Sequence, residues 1–238
     1  MKRNLLLISN STLYGSRYLD HCAEEIKKFL TGEKSVLFIP YARPDGMSHE
    51  EYTSIAKKRF EKMGFKLSGI HEHESSKKAV ESAQSLFIGG GNTFVLLNKL
   101  YKEDLIDTIR KKVSRGMPYI GTSAGSNVAC KSVKTTNDMP IMYPPSFDAL
   151  NLVPFNINPH YLDPDPNSTH KGETRETRIK EFHFYNFEYV VGLREGAMLH
   201  VKDNTITLKG STGARIFDKN NNTKEYKPGD SLDFLLKK

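Results

Sequence analysis

Met117-Pro118-Tyr119-Ile120-Gly121-Thr122-Ser123-Ala124-Gly125 is the segment from which the fold follows. Met117 to Ile120 is a short apolar run of the kind that fills a buried strand, and Ala124 to Cys130 is compatible with a helix. Gly121 and Gly125 flank Ser123 between them. A serine hydroxyl is a poor nucleophile until a base takes its proton, and it must stand clear of the backbone for an acyl group to reach it. A sharp strand-to-helix turn lined by small residues leaves the serine exposed at its apex. The helix that follows aims free N–H groups and the positive end of its dipole at the same point, so the Ala124 N–H is the expected oxyanion donor. The pattern is short, and a βα turn whose serine only caps the helix has the same sequence.

The strand pattern extends upstream. Asn4 to Ser9, Ser35 to Ile39, Lys66 to Ile70 and Ser85 to Ile88 are runs like the one before Ser123, as expected of strands buried on both faces. Between them apolar residues recur at helical spacing: Leu19, Cys22, Ala23, Ile26, Phe29 and Leu30, then Tyr52, Ile55, Ala56, Phe60 and Met63. Ala79 to Ala83, Phe94 to Leu100 and Leu105 to Val113 add further helical segments. The alternation predicts an α/β fold, a mostly parallel sheet flanked by helices on both faces. Beyond Gly196, Ala197 to Val201, Thr205 to Leu208 and Ala214 to Phe217 read as short strands joined by turn residues, forming antiparallel hairpins at the C-terminal edge of that sheet. A chain of 238 residues with 37% hydrophobic content fits one domain, 1–238.

Composition excludes several classes. No apolar run approaches the ~20 residues needed to cross a bilayer, and the first strand is too short for a signal-peptide core, so a cytoplasmic protein with no membrane partner is expected. Cys22 and Cys130 fall on apolar helix faces, which predicts reduced, buried thiols. The net charge of +7 is spread along helices without an aromatic-basic signature, so no nucleic-acid partner is expected. His71 and His73 lack a second cluster to complete a metal site and read as a surface loop.

Chemistry gathers at one edge. In an open parallel sheet, sites form outside the carboxyl ends of the strands, which places Gly89-Gly90-Gly91-Asn92 beside Ser123. Three successive glycines leave backbone amides uncovered and suit an oxyanion or a phosphate, although neither G-x-G-x-x-G nor a P-loop occurs. From Lys131 to Lys171 the alternation stops, and a long irregular segment of this kind is expected to carry function. His160, stiffened between Pro159 and Tyr161-Leu162-Asp163-Pro164, is the candidate general base. His170 is a further candidate pocket residue.

Five blocks in order carry a family resemblance: Ile88-Gly89-Gly90-Gly91-Asn92-Thr93, Ile120 to Gly125, Thr135-Thr136-Asn137-Asp138-Met139-Pro140, Ile157-Asn158-Pro159-His160, and His170-Lys171-Gly172-Glu173-Thr174-Arg175-Glu176. Together they resemble peptidase E, the cytoplasmic α-aspartyl dipeptidases, serine enzymes that cleave Asp-X dipeptides, and the similarity extends from the first strand to Gly196. The resemblance implies a fold related to the class I glutamine amidotransferases with serine in place of cysteine. It also implies no metal or organic cofactor and a small Asp-X peptide as substrate; the sequence leaves monomer and homodimer both open.

Carried over, Ser123 matches the nucleophile and His160 the base. Asp138 and Glu195 are rivals for the third member, with Asp138 favoured. Ala124 and Gly90 supply the oxyanion hole. Arg175 offers the bidentate fork that fits an aspartyl carboxylate, although Glu173, Glu176 and Arg178 around it also suit an ordinary helical ion pair. Asn92 and His170 complete the substrate-binding set. Thr122 departs from the family, where a bulkier aromatic is common. Two other functions compete: a β-aspartyl or cyanophycin-type serine peptidase, and a non-enzymatic anion-binding protein.

Overall fold

The structure, a computed structural model, describes residues 2–44, 46–169 and 171–237. Strands β1 (Asn4–Ile8), β2 (Ser35–Ile39), β3 (Lys66–Gly69), β4 (Leu86–Ile88) and β5 (Tyr119–Thr122) pair in parallel in the order β3-β2-β4-β5-β1. Their side chains alternate between two apolar layers. Leu5, Leu7, Leu37, Ile39, Leu86, Ile88 and Tyr119 enter one; Leu6, Ile8, Val36, Phe38, Phe87 and Ile120 enter the other. Helices α1 (Ala23–Phe29) and α2 (His49–Lys62) cover the second layer with Ile26, Tyr52, Ala56 and Phe60. Helices α3 (Ser76–Ser82), α4 (Thr93–Lys102), α5 (Ile106–Val113) and α6 (Ala124–Ala129) cover the first. A parallel sheet needs both faces sealed, and the continuous apolar runs seen in the sequence are its signature.

The C-terminal half departs from expectation. β6 (Asn156–Pro159), α7 (Arg175–Phe182) and β7 (Val190–Leu193) precede β8 (Ala197–Lys202) and β9 (Thr205–Gly210), with β10 (Ala214–Phe217) and β11 (Thr223–Tyr226) last. β8 and β9 form the expected antiparallel edge, β8 pairing with β1. β10 does not join them. It pairs with β7 in a second sheet of order β11-β10-β7-β6. β6 escaped the sequence reading because it is buried yet polar: Asn156 exchanges hydrogen bonds with Ser132, and Asn158 Nδ2 donates to Thr135 O at 2.8 Å. Buried polar groups are tolerated when paired in this way, so a core strand takes on the composition of a loop.

The two cysteines are free and buried in different layers, Cys22 in the second and Cys130 in the first. Burial pushes the Cys22 thiol up to about 12 and also raises Cys130, leaving both as protonated packing groups at neutral pH. His71 is not on the expected surface loop. Its ring turns inward against His49, with centroids 5.7 Å apart, whereas His73 is exposed. No helix among the described residues is long and apolar enough to cross a membrane.

Candidate active site

Ser123 sits at the β5–α6 junction with φ 51° and ψ −109°. Holding a residue with a Cβ there costs on the order of 1–3 kcal/mol, and such strain persists only where neighbours over-determine it. They do so here. Ser123 N–H donates to Ile8 O at 3.0 Å, and the N–H groups of Ser126 and Asn127 donate to Ser123 O at 2.9 and 3.0 Å. The flanking glycines are set by close packing: a Cβ on Gly121 would meet Gly125 O at 2.5 Å, and one on Gly125 would meet Ile88 O at 2.1 Å. Any side chain at either position would push the elbow off the sheet.

His160 follows β6 directly. Its Nε2 lies 3.0 Å from Ser123 Oγ, and its Nδ1 lies 2.7 Å from Glu195 Oε1. An ionised carboxylate only accepts, so Nδ1 carries the ring proton and Nε2 is the acceptor left for the serine hydroxyl. Glu195 reaches the ring because β6 and β7 are parallel neighbours with Pro159 opposite Leu193. It is Glu195, rather than the favoured Asp138, that lies against the ring. Asp138 Oδ2 accepts from Thr93 N–H at 2.7 Å and from the Thr136 hydroxyl at 3.1 Å. A carboxylate suits that place because it meets the free amides and positive dipole end of α4.

The carboxyl end of β1 ties these parts together. Ile8 O holds Ser123 N–H. Ser9 Oγ accepts from His160 N–H at 2.9 Å and donates to Leu193 O at 2.8 Å. Asn10 Oδ1 accepts from Gly196 N–H at 2.8 Å. Three consecutive residues therefore fix the turns that carry Ser123, His160 and Glu195, and Ser9 and Asn10 are wholly buried.

A cavity of about 440 Å³ opens over Ser123 and His160, with Gly90, Arg43, Asn137, Asp138 and Arg175 in its walls. Gly90 abuts the elbow, since a Cβ there would lie 3.1 Å from Ser123 Cβ. Arg175 is the first residue of α7, and its helical neighbours pair elsewhere: Arg178 with Glu173 at 3.5 Å, and Glu176 with both Lys180 and Arg215 at 2.8 Å. Burial and the like charge of Arg178 lower the pKa of Arg175, with Asp138 opposing them. It remains a cation.

Asn92, expected in substrate binding, is not among the residues that line the cavity. Its Oδ1 caps α4 through the N–H groups of Phe94 and Val95, each at 3.1 Å, and its Nδ2 donates to Met139 O at 2.9 Å. His170 lies outside the described residues. Thr122 is fully buried, and its hydroxyl has no hydrogen-bond partner among the described residues. Thr122→Val is isosteric and removes that orphan group, so it is expected to raise stability by about 1 kcal/mol in urea unfolding.

Sequence reasoning missed Ser9, Asn10, Asn137 and Arg43. A signal existed for three of them: Ser9 and Asn10 follow the apolar run of β1 and Arg43 follows that of β2, at the sheet edge where ligand contacts collect. Chemically, a base held against a strained serine beside uncovered amides is equipped for acyl transfer. Among the described residues no group of three or more His, Cys, Asp or Glu side chains is placed to hold a metal ion.

The chain is 48% identical over 239 residues to a probable alpha-aspartyl dipeptidase of Drosophila melanogaster, covering 99% of this chain and 98% of that protein. It is 47% identical over 241 residues to a peptidase E of Nostoc sp., covering 100% of this chain and 98% of the relative. A solved peptidase from an acI-B1 actinobacterium shares the fold, with a TM-score of 0.74 over 98% of this chain and 97% of that one at 17% identity. Residues 5–209 match the profile of peptidase family S51. With its serine elbow inside a match of that extent, the chain belongs to peptidase family S51.

Proposed function

We propose that the chain is a serine dipeptidase that hydrolyses dipeptides bearing an N-terminal aspartate. The observation that carries this reading is the line Glu195–His160–Ser123 opening into a cavity that holds Arg175 beside Asp138. His160 Nε2 takes the Ser123 proton as Oγ attacks the peptide carbonyl, and Glu195 faces the imidazolium that forms. The oxyanion is received by the N–H groups of Ala124 and Gly90. His160 then gives its proton to the leaving amine, and water, deprotonated by His160, releases aspartate from the ester on Ser123.

Substrate choice follows from charge. An N-terminal aspartate presents a carboxylate and an ammonium close together, and Arg175 and Asp138 offer the complementary pair. Arg175 forms the bidentate bond to the side-chain carboxylate. Asp138 faces the ammonium.

The test is hydrolysis of Asp-Leu, Glu-Leu, Leu-Asp and β-Asp-Leu by the purified protein and by Arg175→Met. Asp-Leu alone is expected to be cut, and Arg175→Met is expected to lower its kcat/KM by about 10²–10³-fold, the cost of an unmatched carboxylate in a polar site. Cleavage of β-Asp-Leu instead would point to a β-aspartyl peptidase. Tight dipeptide binding without turnover would point to an anion-binding protein.

A further inference from the structure

The turn from β4 to α4 runs through Gly89-Gly90-Gly91, and glycine is the residue least able to hold its own backbone in one conformation. Neighbouring elements hold it instead. Gly89 N–H donates to Ile39 O at 3.3 Å and Asn92 N–H to Ala42 O at 2.6 Å, acceptors on the last residue of β2 and in the loop after it. Between them the Tyr52 hydroxyl, reaching in from α2, donates to Gly90 O at 3.2 Å. Tyr52 is buried, with the Phe38 ring edge-on at 5.0 Å. It occupies the space that Gly89 leaves open: a Cβ on Gly89 would lie 2.5 Å from the Tyr52 hydroxyl oxygen. Burial raises the pKa of Tyr52, so the phenol stays protonated and donates throughout the neutral range.

The held carbonyl belongs to the glycine that abuts Ser123 and lines the same cavity. Neither Gly90 N–H nor Gly91 N–H donates a hydrogen bond among the described residues. A peptide unit is planar, so fixing Gly90 O fixes the plane that carries Gly91 N–H. Together with the bond from Gly89 N–H, it also brackets the plane that carries Gly90 N–H. We propose that Tyr52 is a positioning residue for the oxyanion hole, its hydroxyl holding the glycine turn so that Gly90 N–H meets the oxyanion. The proposal rests on the acyl-transfer reading above. Tyr52 is not among the residues that line the cavity, so it acts through the turn and not on the substrate. Preorganised donors act on charge that develops in the transition state, so loosening them costs kcat and not KM.

The test is Tyr52→Phe, which deletes one oxygen and keeps the ring. Its kcat on Asp-Leu is expected to fall by about tenfold with KM within about twofold of wild type, a smaller loss than outright removal of an oxyanion donor. Affinity for an aspartyl aldehyde, whose adduct with Ser123 carries the oxyanion, is expected to fall by about the same factor. Affinity of Ser123→Ala for uncleaved Asp-Leu is expected to be the same with Tyr or Phe at position 52. Incorporating 4-aminophenylalanine there returns an N–H donor and is expected to leave a loss of only about two- to threefold. Thermal melts identify a phenylalanine variant that fails to fold, and the 4-aminophenylalanine protein then carries the comparison, with aldehyde affinity lowered and dipeptide affinity unchanged. An unchanged kcat in Tyr52→Phe, or equal losses of aldehyde and dipeptide affinity, overturns the inference and leaves the Asp-X reading standing. Failure of the wild type to cleave Asp-Leu overturns both.

Discussion

Ser123→Ala is expected to leave the protein folded and to lower kcat on Asp-Leu by about 10⁴–10⁶-fold, the range seen when a serine nucleophile is deleted. In the proposed mechanism its hydroxyl receives the acyl fragment while His160 Nε2, 3.0 Å away, takes the proton. His160→Gln should cost a comparable factor, and the double variant little more, because the two residues act as one unit. A second substitution separates chemistry from strain. Alanine keeps a Cβ at φ 51°, whereas Ser123→Gly relaxes at that angle. Both variants lose activity, but the glycine variant should unfold at higher urea than the alanine variant, by about 1 kcal/mol. The stability that the elbow forgoes is then measured directly. Turnover by Ser123→Ala within about a hundredfold of wild type would remove Ser123 from the mechanism, since loss of the attacking atom costs far more.

The parallel half of the fold was legible because β1, β2 and β4 are nearly continuous apolar runs, and α1, α2, α4 and α5 repeat apolar residues at helical spacing. Ser123 was legible for the same reason: its glycines are dictated locally, by atoms within the elbow and the adjacent strand. The second sheet was not legible. β6 hides its burial behind Asn156 and Asn158, whose partners Ser132 and Thr135 are far away in sequence. β7 is four residues long and gains its meaning only from pairing with β6 and β10. Asn92 and Arg175 mark the limits of motif reading from the other side. Both sit in family-like blocks, yet one is spent on capping α4 and the other lines the cavity. Arg43 belongs to no motif and was visible only through its position after β2.

The same hidden pairing decides which carboxylate stands behind His160, and a pair of amide substitutions reads it out. Glu195→Gln is expected to lower kcat by about 10²–10³-fold with KM little changed, because the imidazolium in the transition state loses its counter-charge. The factor falls below the largest known for buried triads because the Glu195 side chain is 51% exposed and water screens its charge. Asp138→Asn is expected to behave differently. Asparagine still accepts from Thr93 N–H through its amide oxygen, so the loop at the start of α4 holds its shape. What is lost is a negative charge on the cavity wall beside Arg175, which should raise KM for Asp-Leu by about tenfold and change kcat by less than about threefold. Steady-state kinetics on both variants separates the proposed roles, since a carboxylate behind His160 would act only when the ring is charged and one on the cavity wall whenever substrate is bound. A larger fall in kcat for Asp138→Asn than for Glu195→Gln would reverse the assignment. It would mean that the register Pro159 opposite Leu193, which brings Glu195 to within 2.7 Å of the ring, does not persist during the reaction.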